Sequence, residues 1–346
     1  MGPGRVALTA DREAGPAQLC VTLADRLVAP SPEHRLLVGF RFGPGSDDPG
    51  LPAVVDTGLV PLQGGSLYEG WWYRGEVEHS VQANVRIASC ADYAVAIQQR
   101  PDAAPERFRA QTHDAYLEML HAIAGTPHRH IVKIWNYFGE ITRGKGDREK
   151  YRQFSIGRAT AFDKHGLLGE VMPTGTAIGT IDARQFSIIS LCTSRNFRAA
   201  ENPRQVSAFE YPRQYGPRSP KFSRGGRVFA GDSRLFIVSG TAAIVGHESL
   251  HPDDIALQLE ETFSNLDLLS DAIAALDETA VPLDWQEGAV LRVYLRNPED
   301  LAFVQQKLEQ RLGGAAAGVA YLHANICRQE LLVEIDGASS QWEVVP

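Results

Sequence analysis

Short β-branched runs alternate with longer stretches whose apolar residues recur every three or four positions, most clearly after residue 235. The run LFIVSGTAAIVG, residues 235–246, is typical of a β-strand that ends at Gly240. The stretch 251–276 carries a helical stripe of apolar residues, which predicts a long amphipathic helix. Three further segments predict a strand, a second helix and a closing strand, in that order: 289–296, 297–312 and 331–337.

A weaker copy of this order runs through the middle of the chain. Residues 112–125 predict a helix with Thr112 as its cap, and residues 130–141 predict a strand in the place of 289–296. Residues 186–193 stand where the closing strand stands. A repeat of roughly 110–120 residues would fit three times into 346 residues, with the first 100 as the most degenerate copy. This order of elements predicts an α+β fold.

The closing strand, LLVEIDG, carries carboxylates in a run that otherwise predicts a buried strand. By alternation, Val333 and Ile335 fall on one face, whereas Glu334 and Asp336 fall on the other. The second face is either solvated, as in many antiparallel sheets, or buried for a chemical purpose. The pattern alone leaves both interpretations open.

The composition is that of an ordinary globular protein, with 44% hydrophobic and 22% charged residues. A net charge of -8 argues against non-specific adhesion to nucleic acid or to anionic membranes. The four cysteines lie far apart, which favours free thiols in a reducing compartment. No apolar stretch is long enough for a signal peptide or a membrane span, so we expect a cytoplasmic protein without membrane contact. The sequence has no P-loop, dinucleotide-binding motif or metal-ligand cluster, so we expect neither a metal nor a cofactor.

Residues 195–227 differ from the rest of the chain in charge. Seven Arg and one Lys against two Glu give this segment +6, so the other 313 residues carry -14. Four prolines and interleaved aromatic residues predict an ordered loop. Three interpretations remain: a nucleic-acid groove, an internal pocket in which arginines bind small carboxylates, and a solvated basic loop. The acidic whole protein argues against the first, and we expect no nucleic-acid partner.

Several segments together resemble the chorismatase family over most of the chain: YRQFSIGRA, MPTGTAIGT, SRNFRAAENPRQVSAFEYPRQYGPRSPKFSR, LFIVSGTAAIVGHES and ICRQELLVEIDG. The part at about 227–346 separately resembles the RidA/YjgF (chorismate-mutase-like) fold. The resemblance implies RidA/YjgF-like units in a pseudo-threefold arrangement within one chain, which favours a monomer. It also implies an N-terminal domain with degenerate units, residues 1–145, and a C-terminal domain, residues 146–346.

The resemblance implies a substrate as well. Chorismatases cleave chorismate, a dianion with a ring carboxylate, a 4-hydroxyl and a 3-enolpyruvyl ether. The matching motif positions imply substrate-binding roles for Tyr151, Arg158, Tyr211 and Arg224. Without the resemblance, the two tyrosines could be core residues with a satisfied hydroxyl, and the two arginines could be surface ion-pair partners.

The resemblance further implies that Glu334 is the catalytic acid, which protonates the methylene carbon of the enol ether. A free Glu has a pKa of about 4.3, so this carboxyl must be buried to keep its proton near neutral pH. Subtypes that resemble 3-hydroxybenzoate synthases carry Cys and Gly at the positions of Cys327 and Gly240. We therefore expect 3-hydroxybenzoate and pyruvate as products, an aromatic precursor for secondary metabolism. Alternatively, Cys327 is a small buried hydrophobe and Gly240 a turn residue with positive φ.

Three other functions stay open. The first is hydrolysis of chorismate to trans-3,4-dihydroxycyclohexa-1,5-diene carboxylate and pyruvate. The second is a RidA-like imine hydrolase, against which the basic, aromatic segment 195–227 argues. The third is a non-catalytic binder of aromatic metabolites, which would bind chorismate without releasing pyruvate.

Overall fold

The computed structural model of the protein describes residues 19–44, 52–166, 171–182, 184–230, 233–277, 285 and 289–342. These residues form three consecutive sheet units. The first eighteen residues, on which the expected absence of a signal peptide depends, lie outside the described part of the chain. No helix among the described residues is both long and apolar enough to cross a membrane.

The first unit is a four-stranded sheet formed by β1 (Leu19–Ala24), β2 (His34–Phe42), β3 (Val54–Asp56) and β5 (Leu67–Arg74). The short β4 (Val60–Pro61) leaves this unit and joins the sheet of the last one. The strand order is β1-β5-β2-β3, and the described residues of this unit contain no helix. This part of the chain therefore carries the least of the repeated pattern.

The middle unit is a six-stranded sheet with two helices. Its strands are β6 (Glu78–Gln82), β7 (Val85–Ser89), β8 (Tyr93–Pro101), β9 (His130–Gly139), β10 (Thr174–Thr180) and β11 (Gln185–Thr193). Its helices are α1 (Pro105–Ala124) and α2 (Lys150–His165). The order is β10-β9-β11-β8-β7-β6, in which only β9 and β10 are parallel neighbours.

The last unit repeats this plan. Its strands are β12 (Asn196–Ala200), β13 (Gly225–Ala230), β14 (Ser233–Thr241), β17 (Ala289–Leu295), β18 (Val319–His323) and β19 (Val333–Trp342). A small hairpin of β15 (Ile244–Val245) and β16 (Glu248–Ser249) follows β14. The helices are α3 (Ile255–Ala274) and α4 (Leu301–Leu312).

The two helical units have the same topology. The last sheet runs β12-β13-β14-β19-β17-β18-β4, so β14, β19, β17 and β18 stand where β8, β11, β9 and β10 stand. In each unit a helix connects the two parallel strands, as a parallel crossover requires. The predicted duplication and the α+β class are confirmed, and the predicted strands at 130–141, 186–193, 289–296 and 331–337 are present.

The start of α1 differs from the prediction. The helix begins at Pro105 and not at Thr112, which lies fully buried inside it. Pro105 occupies the first turn, where its fixed φ suits a helix. The first turns of α1 are too polar to show a helical stripe in the sequence. They are nevertheless packed on the sheet, because the buried ring of Phe108 lies 4.8 Å from that of Phe138.

The basic segment 195–227 is a loop only in its centre. Its ends form β12 and the start of β13, where Phe197 pairs with Val228 across the ladder. Between them, residues 201–224 run as a loop with short 3-10 turns at 208–210 and 213–215. The prediction was wrong at the ends because both strand segments are short and interrupted by charged residues.

The predicted boundary between residues 145 and 146 falls between β9 and α2, inside the middle unit. A shared sheet shows that two segments pack together, but it does not show whether each part of the chain folds independently. The division into two domains therefore stays a prediction.

Candidate active site

A cavity of about 230 Å³ opens where the middle and last units meet. Helix α2, strand β10, the loop 201–224, the end of β14 and the segment 327–334 line it. All seven residues that the sequence predicts as site residues line this one cavity: Tyr151, Arg158, Tyr211, Arg224, Gly240, Cys327 and Glu334. Their convergence is observed, and their roles stay predictions.

Glu334 lies on a buried face of β19. Its side chain is on the same face as Asp336, whose carboxylate accepts hydrogen bonds from Trp135 and Thr176 of the middle unit. Glu334 is 5% exposed and Asp336 is fully buried, so the interpretation of a solvated face is wrong. Burial and, to a smaller extent, the neighbouring Asp336 raise the pKa of Glu334 to about 8, although nearby cations act against them. The carboxyl is therefore largely protonated at neutral pH.

Gly240 lets the Glu334 carboxyl lie directly against the backbone. A Cβ at residue 240 would be 1.8 Å from Oε1 of Glu334, which is far inside van der Waals contact. Gly240 is absent from the described glycines with positive φ, so the alternative of a left-handed turn residue is wrong. The glycine is needed here for space.

Arg158 lines the cavity and carries two buried donors without a hydrogen-bond partner among the described residues. It projects from α2 and is 2% exposed, and the two donors are Nε and Nη2. These two nitrogens form one edge of the guanidinium, which fits the two oxygens of a carboxylate. Tyr151 of the same helix is half-buried, and its ring stacks on that of Phe154. Desolvation raises the pKa of its hydroxyl, so that hydroxyl is a donor or acceptor and not a phenolate.

Arg224 is held by its neighbours in the basic segment. Its Nη2 donates to the Tyr211 hydroxyl at 2.6 Å and to the Val206 carbonyl at 3.1 Å. Its guanidinium lies between the rings of Tyr211 and Phe222, at 5.5 and 5.2 Å. Because Arg224 is only 4% exposed, the interpretation of a surface ion pair is wrong for this residue.

Cys327 lies in the cavity wall beside Glu334. Burial raises the pKa of its thiol to about 12, and the nearby carboxyl of Glu334 acts in the same direction. The sulfur is therefore a neutral thiol, which can donate or relay a proton but is a poor nucleophile at neutral pH.

The sequence did not single out two further residues at the cavity, Arg328 and Thr176. Arg328 stacks on the Tyr215 ring at 4.0 Å and donates to the His247 carbonyl and the Ser249 hydroxyl. Thr176 of β10 lines the floor of the cavity. Arg328 directly follows Cys327 in the motif ICRQE, and this adjacency is the signal that could have found it.

The remaining cations of the basic segment do not act as one surface. Arg213 and Arg218 are exposed and pair with Asp147 and Asp163, as in a solvated loop. Arg224 alone among these three points into the cavity. Among the described residues, no group of three or more His, Cys, Asp or Glu side chains could hold a metal ion.

Comparison with known proteins decides the family. The chain is 30% identical to a 3-hydroxybenzoate synthase of Streptomyces hygroscopicus, over 84% of this chain and 86% of that protein. It is 34% identical to a chorismatase of Streptomyces rapamycinicus, over 79% and 82% of the two chains. The chain belongs to the chorismatase family.

Two further comparisons agree with this membership. Residues 69–192, which contain all but the last residue of the middle unit, match the family model for the N-terminal part of FkbO/Hyg5-like chorismatases. A chorismatase crystal structure superimposes with a TM-score of 0.82 at 26% identity, over 93% of this chain and 98% of that one. The predicted chorismatase resemblance is thus confirmed, and the shared architecture extends over nearly the whole chain.

Proposed function

We propose that this chorismatase-family protein converts chorismate to 3-hydroxybenzoate and pyruvate, with Glu334 as the acid that protonates the enolpyruvyl methylene carbon. The observation that carries the proposal is a buried carboxyl whose pKa is raised to about 8, in a cavity that also holds two buried arginines. The names of the relatives, 3-hydroxybenzoate synthase and chorismatase, support the same substrate and product.

The chemistry explains why a protonated carboxyl is needed. Water does not attack an enol ether at neutral pH, but protonation of its methylene carbon gives an oxocarbenium ion that can be cleaved. Proton transfer to carbon is slow, so the acid must be held against that carbon and must carry its proton at working pH. A carboxyl in a partly apolar wall meets both conditions.

The two arginines suit a dianionic substrate. The open Nε and Nη2 edge of Arg158 fits one carboxylate, and the Arg224–Tyr211 pair lies within the same cavity to receive the other. Arg224 also lowers the pKa of Glu334, so burial must outweigh this cation for the acid to keep its proton. We assign Tyr151 and Tyr211 to positioning the ring through their hydroxyls.

Cys327 and Gly240 bear on the product. Forming 3-hydroxybenzoate and pyruvate consumes no net water, whereas forming the dihydrodiol consumes one water molecule. The ring must then be steered to a phenol after the ether is protonated, and we assign the neutral Cys327 thiol in the cavity wall to moving a proton there. Gly240 supports this step by letting Glu334 lie close to the ring.

The test is to incubate the purified protein with chorismate, without added metal, and to identify the ring product by mass and pyruvate by a coupled assay. Glu334→Gln should bind chorismate yet lose several orders of magnitude in turnover, because an amide cannot deliver the proton. Glu309→Gln is the matched control, because it replaces an exposed carboxylate on α4 by an amide, and it should leave turnover unchanged.

Other outcomes separate the alternatives. Saturable chorismate binding without pyruvate release would identify a binder, and a dihydrodiol as the main ring product would identify a hydrolase. A Glu334→Gln variant within tenfold of wild type would remove Glu334 from the mechanism. For the wild type, turnover should fall as pH rises through about 8, because only the protonated carboxyl is active and its pKa is raised to that value.

A further inference from the structure

A fully buried ion pair lies behind Glu334. Lys133 of β9 and Asp336 of β19 are both buried, and Lys133 Nζ is 3.2 Å from Asp336 Oδ2. Neither residue lines the cavity, so neither can touch a substrate directly. A buried ion pair is costly to maintain and is often no better for stability than apolar residues would be. Its position next to a proposed acid suggests a use.

Four donors surround the carboxyl of Asp336. Oδ2 receives the Trp135 indole N–H at 3.1 Å and the Thr176 hydroxyl at 2.6 Å, in addition to Lys133. Oδ1 receives the Tyr294 hydroxyl at 3.2 Å. Lysine and indole nitrogens only donate, so the oxygen that faces them cannot carry a proton of its own. These donors favour a negative charge on Asp336.

Thr176 determines the direction in which the hydrogen bonds of this network are donated. Its Oγ1 accepts from Lys133 Nζ at 2.8 Å and from the Gly240 backbone N–H at 3.1 Å. Both lone pairs of the hydroxyl are then used, so its own hydrogen must point to Asp336. The Gly240 peptide is also the surface against which the Glu334 carboxyl lies. One hydroxyl thus connects the ion pair to the backbone that supports the acid.

In the described part of the chain, the carboxyl of Glu334 lacks the hydrogen-bond donors that surround Asp336. No hydrogen bond to its carboxyl is formed by the described residues, whereas Asp336, on the same strand face, has four donors. The two side chains start about 7 Å apart along the strand. Two nearby carboxyls in unlike environments divide the protonation states between them, one neutral and one ionised. Other titratable or charged groups around Glu334 are Lys133, Tyr151, Arg224, Cys327 and Arg328.

We propose that Asp336 and Lys133 are positioning residues that set the protonation state of Glu334: the negative charge of Asp336 favours the protonated carboxyl of Glu334, and the positive charge of Lys133 opposes it. This inference rests on the proposed role of Glu334 as the acid. The direction of each effect agrees with electrostatics, because Asp336 raises the pKa of Glu334 and Lys133 lowers it, with Asp336 the stronger of the two.

The experiment measures kcat/KM for chorismate against pH in wild type, Asp336→Asn, Lys133→Met and the double variant. Removing the negative charge should move the alkaline limb of the profile to lower pH by about one unit, which is about a tenfold loss of rate above pH 8. Removing the positive charge should move the limb to higher pH, and the double variant should lie between. A loss of packing alone would lower rates without moving the limbs in opposite directions, and limbs that stay in place or move together would overturn the proposal.

A second measurement covers the case in which these variants do not fold. The infrared difference spectrum of wild type minus Glu334→Gln at neutral pH should show a carboxylic-acid C=O band that the variant has lost, and the variant should gain no such band. If no band is lost, the proton is elsewhere and the inference fails. This readout needs no turnover, so an absence of activity toward chorismate would overturn the proposed function without deciding this point.

Discussion

Because residue 240 is a glycine, the Glu334 carboxyl can lie directly against the backbone there. A Cβ there would overlap Oε1, so the carboxyl would have to rotate away from the backbone. Displacements of about 1 Å at a reacting group can reduce rates by about 100-fold. Gly240 therefore acts on the proposed reaction through geometry, with no polar side chain of its own.

Cys327 gives a prediction about the product. Cys327→Ala should release pyruvate at nearly the wild-type rate, since protonation of the ether is assigned to Glu334, but dihydrodiol should appear beside 3-hydroxybenzoate. The reason is that a neutral thiol, with its pKa raised to about 12, can move a proton near the ring, whereas a methyl group leaves that step to water. Chromatography of the ring products measures the ratio.

Cys327→Ser is the matched control for Cys327→Ala, because a hydroxyl keeps a transferable proton in a similar volume. It should retain more 3-hydroxybenzoate than the alanine variant does. An unchanged product ratio in Cys327→Ala, with normal turnover, would show that the thiol only fills space in the wall.

The sequence predicts that Glu334 and Asp336 share one face of the strand, but it does not predict whether that face is exposed to solvent or buried. Alternation in LLVEIDG assigns Glu334 and Asp336 to the same side, as observed. Whether that side is buried depends on β9 and β10 of another unit, about 160–200 residues away along the chain. Lys133, a single lysine in the apolar run HIVKIWNYF, is the sequence signal for a buried partner.

At the scale of elements, α2 brings two site residues to one wall. Tyr151 and Arg158 are seven positions apart, which is close to two helical turns, so both fall on the same face. The helix is otherwise poorly amphipathic, since it buries polar as well as apolar side chains. Without the family motif, its period would not have indicated a site.

Arg158 gives the prediction at this scale. Arg158→Ala should weaken chorismate binding by about 2–5 kcal/mol, because a buried substrate carboxylate would lose its partner. Arg158→Lys should recover only part of this, since an ammonium lacks the planar fork. KM and kcat/KM report the change. Lys164→Ala, which removes an exposed cation from the same helix, should change neither.

Full recovery of binding in Arg158→Lys would contradict the bidentate geometry. The neighbouring strands β9 and β11 were predictable because their apolar runs are long, as in 130–141 and 186–193. The loop 201–224 could not be derived in the same way, because its course depends on contacts such as Arg224 with Tyr211 and not on a periodic pattern.

At the scale of the whole molecule, the three units meet at a shared buried centre. Phe40 and Trp71 of the first sheet pack against Trp135 of the middle one, with ring centroids 5.1 and 5.8 Å apart. Arg292 of β17 extends from the last sheet into this centre, 4.1 Å from the Phe40 ring. The first unit, which lacks described helices, thus still contributes to the core on which the cavity is built.

One ion pair joins the first and last units inside that centre. Arg292 donates through Nε and Nη2 to the two oxygens of Glu69, each at 2.7 Å, and through Nη1 to the Tyr137 hydroxyl at 2.6 Å. Glu69 also accepts from the Trp71 indole. Both ions are at most 3% exposed at the side chain, so neither can regain water without a gap opening between the units.

Breaking this pair should therefore destabilise the whole fold. Glu69→Gln should lower the free energy of unfolding by about 3–5 kcal/mol, since it leaves the Arg292 charge buried and uncompensated. Replacing both partners, Glu69→Leu with Arg292→Met, should cost less than the single change, because no charge is then buried. Glu33→Gln, which breaks the exposed pair with Arg74 in the same unit, should cost less than about 1 kcal/mol. Urea denaturation of the four proteins measures the differences. Equal losses for Glu69→Gln and Glu33→Gln, or a double variant less stable than the single one, would show that the units are joined by packing and not by this pair.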